Sequence, residues 1–259
     1  MKIISLGAGV QSTTLALLAH HKKIEPPDYA VFADTGWEPE AVYKHLDWLE
    51  NHLSFPVVRV SAGDLKEHLL SNPEFSNIPL FTSNGGMGKR QCTYDFKIRP
   101  LQKFCKPHAS KGNPVITQIG ISTDEWTRMK PSRVKYMENT WPLIDLEMSR
   151  NDCMDWLKDK GYVVPPKSSC LGCPFHSDAE WRRIKTEYPK EFEETCGVED
   201  QLNDSKTSEY WGDKNLKQYL HRSLKPLRDV DFRTMEERGQ LNFLEMDAFD
   251  NECEGMCGL

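Results

Sequence analysis

Residues 5–18 read SLGAGVQSTTLALL, and how this stretch is read decides the fold. The apolar residues 2–6 run into two glycines and then into residues 12–20, whose leucines and alanines suit a buried helix. Strand, glycine loop and helix in that order let the backbone approach a ligand closely, while the free N–H groups of the helix start attract an anion. Three phosphate-binding patterns compete for the loop. A Walker loop needs a lysine before its Ser or Thr, and none lies between Leu6 and His20. The dinucleotide fingerprint needs a third glycine where Ser12 stands, although Asp34 lies at a suitable distance for a ribose carboxylate. The third pattern uses Ser5, Ser12, Thr13 and Thr14 as donors in place of lysine or glycine, and it suits a pyrophosphate. A plain β–α turn with a capping serine is the non-functional alternative.

Working outward, residues 29–33 (YAVFA), 56–60 (PVVRV) and 115–121 (VITQIGI) read as further strands. Residues 39–53 place Val42, Leu46, Leu49 and Leu53 on one helical face, and a shorter helix fits 64–70. Such β–α alternation predicts an α/β fold with a doubly wound, mainly parallel, five-stranded sheet. Ser149 with Asp152 caps a helix that Gly161 ends, and Ser177 caps another through Trp181 and Ile184. Residues 71–89, rich in Asn, Ser, Gly and Pro, read as a mobile loop over one end of the sheet. The expected organisation is a nucleotide-binding domain over 1–165, with a cysteine loop and helical extension over 166–259 packed on it.

A net charge of −6 excludes a chain that coats nucleic acid by bulk electrostatics but leaves room for a local basic groove. Lys89, Arg90, Lys97 and Arg99 flank Cys92, and Arg128, Lys130 and Arg133 follow the 115–121 strand, a candidate wall for a polyanion. With no apolar run of membrane length and no leader pattern, the expectation is a cytoplasmic protein without membrane contact. In a reducing compartment its 8 cysteines are thiols, metal ligands or redox groups, not a disulfide framework. Cys170 and Cys173 have the spacing of half a tetrahedral sulfur site, whereas Cys105 and Cys153 sit at helical core positions.

SLGAGVQSTTLALL and FADTGWEPEAVYKHLDWL (32–49) together resemble the phosphoadenosine phosphosulfate (PAPS) reductase family of the PP-loop ATP pyrophosphatase superfamily. CTYDFKIRPL (92–101), GISTDEWTRM (120–129), WPLIDLEMSRNDCMDWL (141–157) and SSCLGCP (168–174) resemble its later elements in the right order, so the resemblance spans residues 3–175. It implies phosphate contacts from Ser5, Gly7, Gly9, Gln11, Ser12 and Thr13, a nucleoside bordered by Asp34, Thr35 and Gly36, further nucleotide contacts from Arg99 and Gly120, and catalytic roles for Gln11 and Arg128. ATP-cleaving members carry an aspartate that positions Mg2+ where this chain has Gln11.

The resemblance also implies a [4Fe-4S] cluster on Cys92, Cys170 and Cys173. Family members with a cluster have Cys-Cys where this chain has Gln91-Cys92, so one ligand is missing. Either the cluster keeps an open iron or His176 completes a Zn2+ site. The activity so implied is cleavage of ATP to AMP and pyrophosphate, adenylating an acceptor such as a tRNA or DNA base for sulfur transfer from a sulfur donor. The alternative is a PAPS or APS (adenosine phosphosulfate) reductase served by a thiol reductant protein, whose nucleophile is Cys257 in the ending CGL. A non-catalytic nucleotide- and metal-binding module is the third reading.

Overall fold

The computed structural model describes residues 1–71, 76–204, 216–234 and 237. In chain order its strands are β1 (Lys2–Leu6), β2 (Tyr29–Asp34), β3 (Val57–Ser61), β4 (Phe81–Thr82), β5 (Val115–Ile119), β6 (Met137–Thr140) and β7 (Gln218–Tyr219). Its helices are α1 (Val10–His20), α2 (Glu40–His52), α3 (Leu65–Ser71), α4 (Arg99–Cys105), α5 (Pro142–Asp145), α6 (Arg150–Asp159), α7 (Asp178–Glu187) and α8 (Pro189–Leu202). They fall into two compact units, Met1–Gly63 with Thr93–Ser169 and Asp64–Cys92 with Cys170–Cys253.

The first unit is an α/β domain on a five-stranded sheet in the order β3-β2-β1-β5-β6, every neighbouring pair parallel. Alternation along the strands divides the core between two faces. Ile4, Leu6, Ala30 and Phe32 pack with α1, with Val42, Leu46 and Leu49 of α2, and with Cys153 and Leu157 of α6. Ile3, Val31, Val115 and Met137 pack on the other face with Leu101 and Cys105 of α4. Each such fully buried aliphatic side chain contributes about 1.5–3 kcal/mol. Helix α1 is buried along its whole length from Val10 to Ala19, as its uniform apolar and small residues require.

The chain steps from β1 to β2 to β3 on one side, then crosses to β5 on the other side of β1. The topological switch point therefore lies beyond the carboxyl ends of β1 and β5, where open α/β sheets take their ligands. The loop at residues 7–9 leaves β1 there, and Gly120 follows β5. The fifth strand, β6, is a short edge strand with the sequence MENT, too brief and polar to stand out by periodicity.

In the second unit β4 pairs antiparallel with β7, and α7 and α8 bury Trp181, Ile184, Phe192 and Cys196. Buried Glu199 accepts from the backbone N–H groups of Leu220 and Leu227, tying α8 to the following chain. Segment 64–92, including most of the Asn- and Gly-rich stretch, belongs to this unit.

Candidate functional site

The loop after β1 is strained by Ala8, whose φ of 59° is left-handed. That conformation costs a residue with a Cβ about 1–2 kcal/mol. It delivers Gly9 as the N-cap of α1 in extended geometry, without a side-chain cap and with no acidic residue in the first turn. The first intrahelical bond runs from Thr13 N–H to the Gly9 carbonyl at 3.0 Å. The N–H groups of Val10, Gln11 and Ser12 thus have no hydrogen-bond acceptor among the described residues, although all three residues are buried. A buried helix start without partners is an anion site in waiting.

Directly behind it, Gln11 is 2% exposed and its amide is fully committed. Its Nε2 donates to Ser122 Oγ and to Glu125 Oε2, both at 3.3 Å, and its Oε1 accepts from Arg150 at 2.9 Å. Arg128 pairs with Glu125 Oε1 at 2.6 Å. The network so built brings two guanidinium groups to the open end of α1. Gly120 makes the packing possible: a Cβ there would lie 2.9 Å from Ser12 N and Cα and 3.0 Å from Gln11 C. Gly120 therefore acts through close approach of the β5 end to α1.

The other loop hydroxyls point inward. Ser12 Oγ donates to the Gly9 carbonyl at 3.3 Å, Thr14 Oγ1 to the Val10 carbonyl at 2.9 Å, and Thr13 Oγ1 lies 2.9 Å from His45 Nε2. Burial lowers the His45 pKa to about 4, so the ring is neutral at that contact. Ser5 is buried in β1, and Ser168 Oγ donates to the Gly7 carbonyl. The Ser12, Thr13 and Thr14 hydroxyls thus have partners within the protein, while the unspent donors of the loop are backbone N–H groups.

At the end of β2, Asp34 Oδ1 accepts from Gly36 N–H and from Tyr43 OH, each at 2.8 Å, and Gly36 has a left-handed φ of 71°. Burial and this carboxylate raise the Tyr43 pKa. Thr35 Oγ1 donates to Glu38 at 3.3 Å, and Lys97 reaches the same buried carboxylate at 3.2 Å from a π-helical turn, Thr93–Ile98. Arg99 follows, exposed, as the first residue of α4.

No family model matches this chain. The uncharacterized nin region protein ORF290 of Escherichia phage lambda is 24% identical over 195 aligned residues, a match that covers 67% of this chain. The chain spans 65% of that relative's length. Among solved structures, a phosphoadenylyl-sulfate (PAPS) reductase from Candida auris, in a phosphate complex, is similar with a TM-score of 0.45 and 10% identity. That match covers 63% of this chain and 74% of the reductase.

In the second unit, Cys170, Cys173 and His176 form a tight turn: Cys173 N–H donates to the Cys170 carbonyl at 3.0 Å, and His176 N–H to the Cys173 carbonyl at 3.2 Å. His176 Nε2 lies 3.0 Å from the Cys170 carbonyl, and its ring stands edge-on to Trp181 at 4.7 Å. Cys92 N–H bonds the Asn77 carbonyl at 2.7 Å. Among the described residues no three His, Cys, Asp or Glu side chains are gathered to hold a metal ion. Cys105, Cys153 and Cys196 are core residues whose thiols burial pushes up to about 12. Cys257 and Cys253 lie outside the described residues.

Arg150, Glu125, Ser122, Glu38 and His45 were not legible as site residues. Arg150 had one usable signal: the capping pattern at Ser149 makes it the first residue of α6, on the same edge of the sheet as Gly120.

Proposed function

We propose that the first unit binds an adenine nucleotide with its phosphates at the start of α1, and cleaves ATP between the α and β phosphates to adenylate an acceptor. The single observation that carries this reading is the trio of unspent N–H groups at Val10, Gln11 and Ser12, at the switch point of a parallel sheet and backed by the Gln11–Glu125–Arg128–Arg150 network. An acceptor oxygen attacks the α-phosphorus, the bond to the bridging oxygen breaks, and pyrophosphate leaves with that electron pair. The N–H groups and the nearby guanidinium groups stabilise the leaving group as its charge develops. Asp34, Thr35 and Gly36 border the nucleoside at the end of β2, and Arg99 and Lys97 line the same edge.

Magnesium enters this reaction as part of the ATP substrate. Gln11 replaces the carboxylate that would hold it, and its amide is occupied by Arg150, Ser122 and Glu125. A nucleotide-borne Mg2+ that keeps several waters suits such a site.

The acceptor we infer is a carbonyl oxygen of a base in tRNA or DNA. The proposed reaction ends at adenylation; sulfur transfer to the adenylated position would need Cys92, Cys170 and Cys173 gathered around iron. Incubation with ATP and candidate nucleic acids tests it: pyrophosphate released in an amount equal to the AMP that becomes covalently attached to the acceptor supports the reading. Sulfite release from a sulfonucleotide, lost in Cys257→Ala, would replace it with the reductase. Tight ATP binding without turnover on any acceptor would leave a binding module.

A further inference from the structure

Trp126 is 64% exposed, the most exposed aromatic side chain among the described residues. It is not on a loose tail. Its short helical turn, Thr123–Arg128, is pinned by Thr123 N–H to the Met148 carbonyl at 2.9 Å, by Glu125 N–H to the Ser122 carbonyl at 2.9 Å and by Met129 N–H to the Trp126 carbonyl at 3.0 Å. The preceding residue, Glu125, is the carboxylate that grips Gln11 at the start of α1. The backbone that carries the indole is thus fixed next to the residue that holds Gln11.

The chain that follows is basic in an acidic protein. From Trp126 to Met137 it carries Arg128, Lys130, Arg133 and Lys135 and no acidic residue, against a net charge of −6 for the whole chain. Lys130, Arg133 and Lys135 are exposed and form no ion pair among the described residues. This strip is also fixed in place, since Asn139 Nδ2 donates to the Lys130 carbonyl at 3.0 Å and Ser132 Oγ to the Val134 carbonyl at 3.1 Å.

We infer that Trp126 and the strip from Lys130 to Lys135 form the docking surface for a single-stranded nucleic acid, with the indole stacked on an unpaired base and the cations on the backbone phosphates. An exposed aromatic face beside exposed cations is how proteins hold single strands, because every base offers a π-face and every nucleotide a charge. An acidic peptide would use the cations but not the indole. A duplex would use the cations but keeps its base faces stacked internally. The inference rests on the proposed adenylation of a nucleic-acid base, for which it supplies the means of bringing that base to the nucleotide.

The test is fluorescence anisotropy of the whole chain with a labelled single-stranded 12-mer (a length of about 12 nucleotides covers one such site), as RNA and as DNA, and with the same DNA as duplex. Single strands should bind more tightly than duplex, and W126A should weaken them about tenfold. The triple change Lys130→Glu, Arg133→Glu and Lys135→Glu should weaken binding further and flatten its salt dependence, the slope falling by about 0.7 for each phosphate no longer neutralised. Unchanged binding in W126A, equal affinity for duplex, or equal competition by polyglutamate would overturn the inference. Circular dichroism confirms that each variant is folded. Titration of the same preparation with ATP separates the two readings: oligonucleotide binding without ATP binding leaves this surface standing and removes the adenylation. ATP binding without oligonucleotide binding does the reverse.

Discussion

Helices α1 and α6 pack against each other on one face of the sheet, and they begin in opposite ways. Helix α6 begins with a closed capping box: Ser149 Oγ accepts from Asp152 N–H at 3.2 Å, and the Asp152 carboxylate accepts from Ser149 N–H at 2.8 Å. Helix α1 has Gly9 at the same position, a strained Ala8 before it and no cap. A helix whose first N–H groups are satisfied from within needs no ligand; one that is buried with them unspent is built around a missing acceptor. Arg150, the first residue of the closed helix, reaches across to Gln11 in the first turn of the open one, so the capped start serves to position the uncapped one.

The sharpest way to break this contrast is Gly120→Ala. Its Cβ would collide with Ser12 backbone at 2.9 Å, and backbone cannot swing aside as a flexible side chain can. Overpacking of this kind costs about 1–3 kcal/mol, and the displaced N–H groups should lower ATP affinity by about tenfold or more. Titration calorimetry checks the affinity and thermal melting the stability.

Arg150→Ala comes next. It strands the buried Gln11 Oε1 and should destabilise the domain by about 1–3 kcal/mol in denaturant unfolding, with a parallel loss of ATP binding. The effect of pH tests how Thr13 is held in the first turn. The folded His45 has a pKa of about 4 against an ordinary 6.5, so the unfolded chain takes up a proton where the folded one does not. The stability this neutral ring contributes is full above about pH 6.5 and is lost as pH falls toward 4. Melting temperature should therefore drop between pH 7 and pH 5, and His45→Gln should flatten that slope. An unchanged slope in the variant would assign the acid sensitivity elsewhere. The smallest effect belongs to Ser149→Ala, which removes the α6 cap at about 1 kcal/mol of stability in the same denaturant unfolding.

Much of the fold was readable because periodicity reports burial directly. Val42, Leu46 and Leu49 lie on the buried face of α2, as their spacing requires, and the Ser149, Ser177 and Gly161 signals fall at real helix ends. Strand β6 escaped because MENT at a sheet edge has neither length nor alternation. Near the candidate site, the glycine loop after β1 was legible as the lead-in to α1. What the hydroxyls do was not. Ser12, Thr13 and Thr14 look like phosphate donors on paper, yet a helix buried on all sides turns their side chains to Gly9, His45 and Val10. Nor does spacing reveal the partners of Gln11, since Ser122, Glu125 and Arg150 lie more than a hundred residues away and meet it only through the β1–β5 crossover.

The central claim is that the open start of α1 is a phosphate site. Titration calorimetry of the whole chain with ATP, pyrophosphate and adenosine tests it most directly. ATP and pyrophosphate should both bind, each losing affinity in Gly120→Ala, and adenosine should bind at least about tenfold more weakly than ATP. Adenosine binding as tightly as ATP, or pyrophosphate failing to bind at all, would contradict the claim.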